Sequence, residues 1–392
     1  MSGPGALLGG LSPEAFLERH WQKRPLLVRN AWPEFPWALG ADELAGLALE
    51  PDVESRVVMG ETAQEDWILL QGPFEPEFFH DTPARDWTLL VQDVEKHLPA
   101  LGAVLEPFRF LPDWRIDDLM VSYAAPGGTV GPHRDRYDVF LLQVSGQREW
   151  AIQYPAPASE RLREHPDLRL LTDFTATERW TVGPGDLLYL PPGVPHYGIA
   201  VDDCITYSIG FRAPSVAELL RGWADECLRS ASAELGYDDP DLRRQANPAE
   251  IPPAALARLR DQVRRHLAAD DLAMDRWLGR FLTEPKPAFA RLERASPLAP
   301  AELAAAVQAG RRLRRNPAAR VSLVRYDSER IFLYAQGEEY RLGPALHGLA
   351  ETLGRQGWLA AADLAQPAAL EQTAEWLNRG ILLFADELEE SE

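Results

Sequence analysis

A chain of 392 residues is long enough for two or three domains, and 46% hydrophobic with 26% charged residues is a globular rather than a disordered composition. The formal net charge of −20 repels phosphate backbones and anionic membrane surfaces, and favours a basic partner by electrostatic steering. No apolar run reaches the length of a membrane span, and two cysteines, Cys204 and Cys227, are too few for a disulfide framework.

The opening MSGPGALLGGLSPEAFLERH lacks a basic segment ahead of its short apolar patch, so no secretory leader is expected and the reducing cytoplasm is the expected compartment. Residues 1 to about 90 read as short helices and loops, with Ser12 as a helix cap. From about residue 115 the texture changes. DDLMVSY, YDVFLLQVS, REWAIQY, RWTV, DLLYLP and CITYSIGF are short, rich in β-branched and aromatic residues, and separated by Gly/Pro turns. This spacing predicts an all-β sandwich or barrel.

Residues 214 to 293 carry apolar residues at three- and four-residue spacing, which predicts helices, and ASPLAP at 295–300 reads as a linker. A helix (AELAAAVQAG), two strands (ARVSLVRY and RIFLYAQ), two further helices and a last apolar run (ILLFA) follow, consistent with a winged-helix-like module over 294–392. RRLRR at 311–315 suggests nucleic-acid contact. The would-be recognition helix ALEQTAEWLNRG, however, carries Glu371 and Glu375, which favours a solvated face or a protein contact.

The chemistry concentrates in GPHRDRYDVF. If this stretch enters a strand at residue 133, His133, Asp135 and Tyr137 share one face by period two. GPGDLLYLPPGVPHYG brings His196 to the edge of another strand. Two histidines and one carboxylate form the facial triad of non-haem Fe(II) oxygenases, with open positions for a 2-oxo acid and dioxygen. His-x-Asp alone specifies little, and the bland alternative is a polar strand edge. A 2-oxo dicarboxylate also needs a fixed cation for its distal carboxylate. Arg148 in SGQREW meets that need with a rigid fork, Ser122 and Ser145 could add hydroxyl donors, and the alternative for Arg148 is a surface salt bridge.

Taken together, the His133-x-Asp135 pair with His196, WRIDDLMVSYAAPGGTVGPH, GDLLYLPPGVPH and YSIGFRAP resemble the JmjC-type 2-oxoglutarate oxygenases. Among these the chain is most similar to the bacterial ribosomal oxygenases that hydroxylate an arginine of large-subunit protein L-sixteen. FLERHWQKRPLLVR and DELAGLALE carry the same resemblance. It implies an α+β chain: a double-stranded β-helix (cupin/JmjC jelly-roll) barrel, a helical dimerisation segment and a C-terminal winged-helix-like module. The corresponding division is 1–213 with the barrel core at about 90–213, then 214–293, then 294–392. It further implies Fe(II) on His133, Asp135 and His196, 2-oxoglutarate on Arg148, and O₂ as second cosubstrate. The expected partners are a basic ribosomal protein and a second copy of the chain, with no membrane and no direct nucleic-acid contact.

An arginine substrate needs a carboxylate and walls for its stem. The strand RIDDLMVSY offers Asp118, Met120 and Ser122 on one face, Tyr137 follows the metal pair, and Ser208 lies in ITYSIGF. The alternatives are a turn cap or an Arg115 pair for Asp117 or Asp118, plain core for Met120, and internal packing for Tyr137. His20, His80, His97, His165, His266 and His347 lack partners at useful spacing, and Cys204 reads as a small buried hydrophobe. Rival activities on the same fold are histidyl hydroxylation and lysyl or arginyl demethylation. The rival of another class is a non-catalytic metal-binding scaffold, against which a buried Arg148 would argue.

Overall fold

The computed structural model describes residues 4–388 except 37, 61–66, 213, 231–235, 241–243, 245–248, 250 and 269. Eleven strands precede the helical segment: β1 Leu26–Val28, β2 Ser55–Met59, β3 Ile68–Gln71, β4 Trp87–Val91, β5 Ile116–Ala124, β6 Val139–Ser145, β7 Arg148–Ile152, β8 Glu178–Val182, β9 Leu187–Leu190, β10 His196–Ala200 and β11 Cys204–Phe211. Eight of them form one antiparallel sheet in the order β1-β9-β6-β11-β5-β4-β2-β3, and three form a second sheet, β10-β7-β8. The two sheets face each other as a double-stranded β-helix. Val139 and Leu141 of β6, Trp150 and Ile152 of β7, Val182 of β8 and Leu188 and Leu190 of β9 fill part of the space between them.

The apolar runs explain this placement. β11 is buried along its whole length, because its two faces serve two different cores, and such a strand cannot alternate apolar with polar residues. Leu119, Val121, Phe140, Leu142, Tyr207 and Ile209 turn outward from the barrel against the N-terminal helices and Phe16. The N-terminal region therefore differs from the sequence expectation of helices and loops: β1 to β4 extend the main sheet on both sides. These strands are short and broken by turns, so their period-two pattern is faint.

Helices Val216–Ser230, Pro253–Leu267 and Asp271–Leu282 make up the helical segment. Beyond it lie β12 Leu313–Arg315, β13 Val321–Arg325, β14 Ile331–Ala335, β15 Glu338–Leu342, β16 Trp358–Leu359 and β17 Leu382–Phe384, with helices Pro300–Gln308, His347–Gln356 and Pro367–Asn378 around the buried Trp376. Two three-stranded sheets stand where the sequence suggested two strands and a terminal run. The sequence reading missed EEYRL (β15), where Glu338 and Arg341 are exposed while Glu339 pairs with Arg276 and Arg280, and RRLRR, where Leu313 enters the core while β12 pairs with β16 and β17. Arg311 of that run pairs with Asp386 and Glu387, and Arg315 reaches Asp113 beside β5 at 2.5 Å. In the helix Pro367–Asn378, Glu371 and Glu375 are exposed.

Phe140, fully buried, meets Phe16, Phe108, Tyr189 and Phe211 with ring centroids 4.8–5.7 Å away. Phe140→Ala is expected to cost about 3–5 kcal/mol, read as a lowered urea midpoint at unchanged slope.

Candidate metal and cosubstrate site

His133, Asp135 and His196 come together, with one ligand atom from each lying within 4.8 Å of the others. The route differs from the sequence expectation, in which a strand carried His133, Asp135 and Tyr137. Residues 134–138 are loop, and β6 begins only at Val139. Convergence comes instead from an antiparallel bridge: the His133 N–H donates to the His196 carbonyl at 3.0 Å, and the His196 N–H returns to the His133 carbonyl at 2.8 Å. The Gly193 N–H, at the left-handed turn of PPGVP, donates to the Asp135 carbonyl at 2.7 Å. The loop is thus pinned to the segment leading into β10.

The ring orientations leave the right atoms free. His133 Nδ1 lies 2.9 Å from the Gly131 carbonyl and His196 Nδ1 3.0 Å from that of Val194, so each ring donates through Nδ1 and keeps Nε2 as its lone-pair nitrogen. Both Nε2 atoms face the Asp135 carboxylate, at 3.9 and 3.6 Å. Burial, and then the neighbouring His133, push the His196 imidazole down to about 4, which keeps it neutral, the form that ligates a metal. Two imidazoles and a carboxylate on one side of a shared space suit a divalent transition metal with open positions. His20, His80, His97, His165, His266 and His347 take no part in any such cluster among the described residues.

Arg148 supplies the second half of the fit. It is 4% exposed at the start of β7, and among the described residues no carboxylate reaches it. Its Nη1 donates to Thr206 Oγ1 at 3.4 Å, and Thr206 in turn donates to Gln143 Oε1 at 2.9 Å. The buried Nε has no partner, and the guanidinium stands 5.2 Å from the Trp150 ring centre. An unpaired buried cation is costly, and a bidentate carboxylate removes that cost. Trp150 continues toward the metal side, its ring 5.8 Å from that of His196. The ring lies flat over Gly198, where a Cβ would come within 2.6 Å of it.

Register arranges the inner face of the main sheet in rows. Ser122, Thr206 and Gln143 form one row, Met120, Ser208 and Leu141 the next, and Asp118, Gly210 and Val139 the third. Ser122 is buried beside Thr206, its hydroxyl 3.4 Å from the Thr206 carbonyl. Ser145 is not brought into this set. A bulge shifts the register before it, and its carbonyl is taken by Gln143 Nε2 at 2.8 Å. The sequence reading missed Thr206 and Gln143, although each is a polar residue in a largely apolar buried strand, and that was the available signal.

Asp118 is 7% exposed and pairs with Lys286 rather than with Arg115. Arg115 instead holds Asp138, and Asp117 pairs with Arg320 at 2.5 Å. Met120 is half-buried, with Arg56 Nη2 at 3.9 Å from its sulfur. Tyr137 lies in the loop rather than on a strand face with His133, and is 44% exposed. Burial, then Asp135 and Asp118, hold its phenol protonated. Cys204 is fully buried with Ala124 and Ala200.

A double-stranded β-helix with a His-x-Asp…His cluster and a buried arginine defines the class of cupin-fold metal oxygenases. The sequence pattern of JmjC domains matches residues 103–219, that of ROXA-like winged helices residues 253–383, and that of AraC-like ligand-binding domains residues 174–271. The ribosomal protein uL16 3-hydroxylase of Escherichia coli is 37% identical over 371 residues, covering 94% of this chain and 96% of the relative. The X-ray structure of E. coli YcfD superposes with TM-score 0.80 at 36% identity, over 95% of this chain and 98% of that one. YcfD, described as a ribosomal oxygenase, in complex with cobalt and 2-oxoglutarate gives TM-score 0.76 at 35% identity over 96% and 98%. The chain belongs to this family of JmjC-domain ribosomal oxygenases.

Asp138, three residues beyond Asp135, is fully buried and accepts from Tyr189 Oη (2.6 Å), Gln22 Nε2 (3.0 Å) and Arg115 Nη2 (3.2 Å). Asp138→Ala strands these donors and the partly buried Arg115 charge, and is expected to cost about 3–5 kcal/mol in chemical denaturation. Asp138→Asn, which keeps an acceptor for Tyr189, is expected to cost less.

Proposed function

We propose that this protein is an Fe(II)- and 2-oxoglutarate-dependent protein hydroxylase that adds a hydroxyl to the β-carbon of an arginine in ribosomal protein L-sixteen (uL16). The observation that carries the reading is the buried, carboxylate-free Arg148 beside the convergent His133, Asp135 and His196. A bland metal scaffold has no use for such a cation. Kinship with the E. coli uL16 3-hydroxylase supports the substrate, and the net charge of −20 suits a basic ribosomal protein.

Bound Fe(II) with 2-oxoglutarate and O₂ supplies the oxidising power, giving the hydroxylated product, succinate and CO₂. The protein supplies position. His133 and His196 present Nε2 because their Nδ1 protons are held by backbone carbonyls, and Asp135 adds the anionic ligand. Arg148, backed by Thr206 and Gln143, holds the distal carboxylate of 2-oxoglutarate, with Ser122 beside it in the same row. Ser145 has less support in this role. Asp118 meets the substrate guanidinium, while Met120, Tyr137 and Ser208 flank its stem. The apolar residues between the sheets exclude water from the reacting centre.

The division into a catalytic part (1–213), a helical part (214–293) and a winged-helix-like part (294–392) is part of the same reading. So is homodimerisation, supported by exposed Val216, Leu220 and Leu228 on one helix and Leu256, Leu259 and Val263 on the next. No helix among the described residues is long and apolar enough to cross a membrane, and a ribosomal substrate accords with action in the cytoplasm.

Anaerobic addition of Fe(II) and then 2-oxoglutarate is expected to produce the weak visible charge-transfer band of the chelate. The band is expected to vanish in His133→Ala and to require far more 2-oxoglutarate in Arg148→Ala. Mass spectrometry of uL16 after turnover is expected to show one added oxygen on an arginine. Asp118→Ala is expected to abolish that product while uncoupled 2-oxoglutarate turnover persists. An unmodified uL16 with a functional iron chelate would overturn the substrate assignment. A monomer by light scattering at micromolar concentration would remove the dimer.

A further inference from the structure

Asp118 does not stand alone. Its inner-face oxygen Oδ1 lies over Gly210, where even a Cβ would come within 3.2 Å, so the missing side chain leaves space beside the carboxylate. Its other oxygen, Oδ2, accepts the Asp93 N–H at 3.4 Å and lies 3.7 Å from Lys286 Nζ. Lys286 also meets both oxygens of Asp93, at 2.8 and 3.0 Å, and Asp117 Oδ1 at 3.7 Å.

The charges around Asp118 are unevenly supplied. Carboxylates Asp93, Glu95 and Asp117 surround it, and its charge acts on the Tyr137 phenol together with those of Asp135 and Arg56. Lys96 is engaged by Asp93 and Glu95, and Arg320 by Asp117. Among the described residues Lys286 is the cation that comes within ion-pair range of Asp118 itself. It arrives from outside the barrel on the turn Thr283–Phe289, between the helical segment and the winged-helix-like module. Pro285 and Pro287 flank and stiffen it, and Phe289 seats the turn against His97 with ring centroids 5.2 Å apart.

We propose that Lys286 is a positioning residue for the substrate: its ammonium, 3.7 Å from Asp118 Oδ2, pairs with the carboxylate and leaves Oδ1 turned over Gly210 on the inner face, so that the C-terminal half of the chain determines whether the pocket accepts a cationic side chain. This rests on the assignment of Asp118 to the substrate guanidinium made above. The Asp118 carboxyl titrates above the ordinary carboxylate range: burial raises it most, the acids Asp93 and Asp117 raise it further, and Lys286 is the largest influence in the opposite direction. Despite the burial that opposes its charge, Lys286 is kept fully protonated by Asp118, Asp117 and Asp93. Loss of Lys286 therefore moves the Asp118 titration to higher pH. A larger fraction of the carboxylate is then neutral at a given pH, and a neutral acid gives up the charge-assisted pair.

The test uses the full chain with Fe(II), 2-oxoglutarate and a uL16-derived arginine peptide, comparing Lys286→Gln, Lys286→Arg and Asp118→Asn with the native protein. Lys286→Gln is expected to raise the peptide KM about tenfold and to shift the acid limb of peptide kcat/KM to higher pH. The 2-oxoglutarate KM and uncoupled turnover are expected to stay at native values, and Lys286→Arg to restore the peptide KM. A native peptide KM and pH limb in Lys286→Gln, or equal damage to the peptide and 2-oxoglutarate constants, would overturn the proposal. If that happens while Asp118→Asn still raises the peptide KM, Asp118 keeps its role and only that of Lys286 falls. A native peptide KM in Asp118→Asn would remove both.

Discussion

The site depends on a pair of reciprocal backbone hydrogen bonds. His133 and His196 lie far apart in the chain, yet each gives its N–H to the other's carbonyl. In an antiparallel ladder such a hydrogen-bonded pair sets its two side chains directly opposite each other on the same face. The two imidazoles, 4.2 Å apart between ring centres, then need only the Asp135 carboxylate to complete a donor set. The main sheet, the turn at Gly193 and the buried Asp138 anchor all bear on holding that pair in register.

Two electrostatic environments follow on the inner face, and they have opposite signs. At the Ser122–Thr206–Gln143 row, Arg148 is an isolated cation among apolar and neutral polar groups, an arrangement that favours an anion. Two rows away, Asp118 belongs to a carboxylate-rich cluster partly neutralised by lysines from two separate elements. In the function proposed above, a small dicarboxylate and a cationic side chain would thereby be drawn to different ends of this face. Charge complementarity of this kind also opposes the wrong occupant at each end.

The C-terminal half is attached to this arrangement through ions rather than through a continuous core. Arg315 to Asp113, Arg320 to Asp117 and Lys286 to the Asp93–Asp118 cluster all converge on β5 and its approach. The basic run RRLRR, which in sequence suggests nucleic acid, is in part consumed by these internal contacts. Arg311 lies over the Phe384 ring, paired with Asp386 and Glu387, and Arg315 is bound to the barrel.

Local pattern was enough to locate β5, β6, β7, β8, β9, β11 and the helical segment, because each rests on a short-range signal of apolar alternation or helical spacing, and a His-x-Asp spacing and an arginine opening a strand were enough to single out His133, Asp135 and Arg148 as candidates. The N-terminal strands were not legible, since they are scattered among the short helices Pro13–Arg19, Ala41–Leu47 and Pro76–Asp81 rather than following one another across turns. Nor was the loop geometry of His133 and Asp135: period two predicts their common direction only on a strand, and the bridge to His196 achieves the same convergence without one. Lys286 falls in the same class, since its neighbours Asp93, Asp117 and Asp118 come from segments far from it in the chain that sequence spacing does not relate. By itself the sequence determined which ligand types were available, the barrel class and the sign of the overall field. Which charges meet, which stay unpaired and which carbonyls orient the histidines was decided only by tertiary structure, because those are distances between segments far apart in the chain.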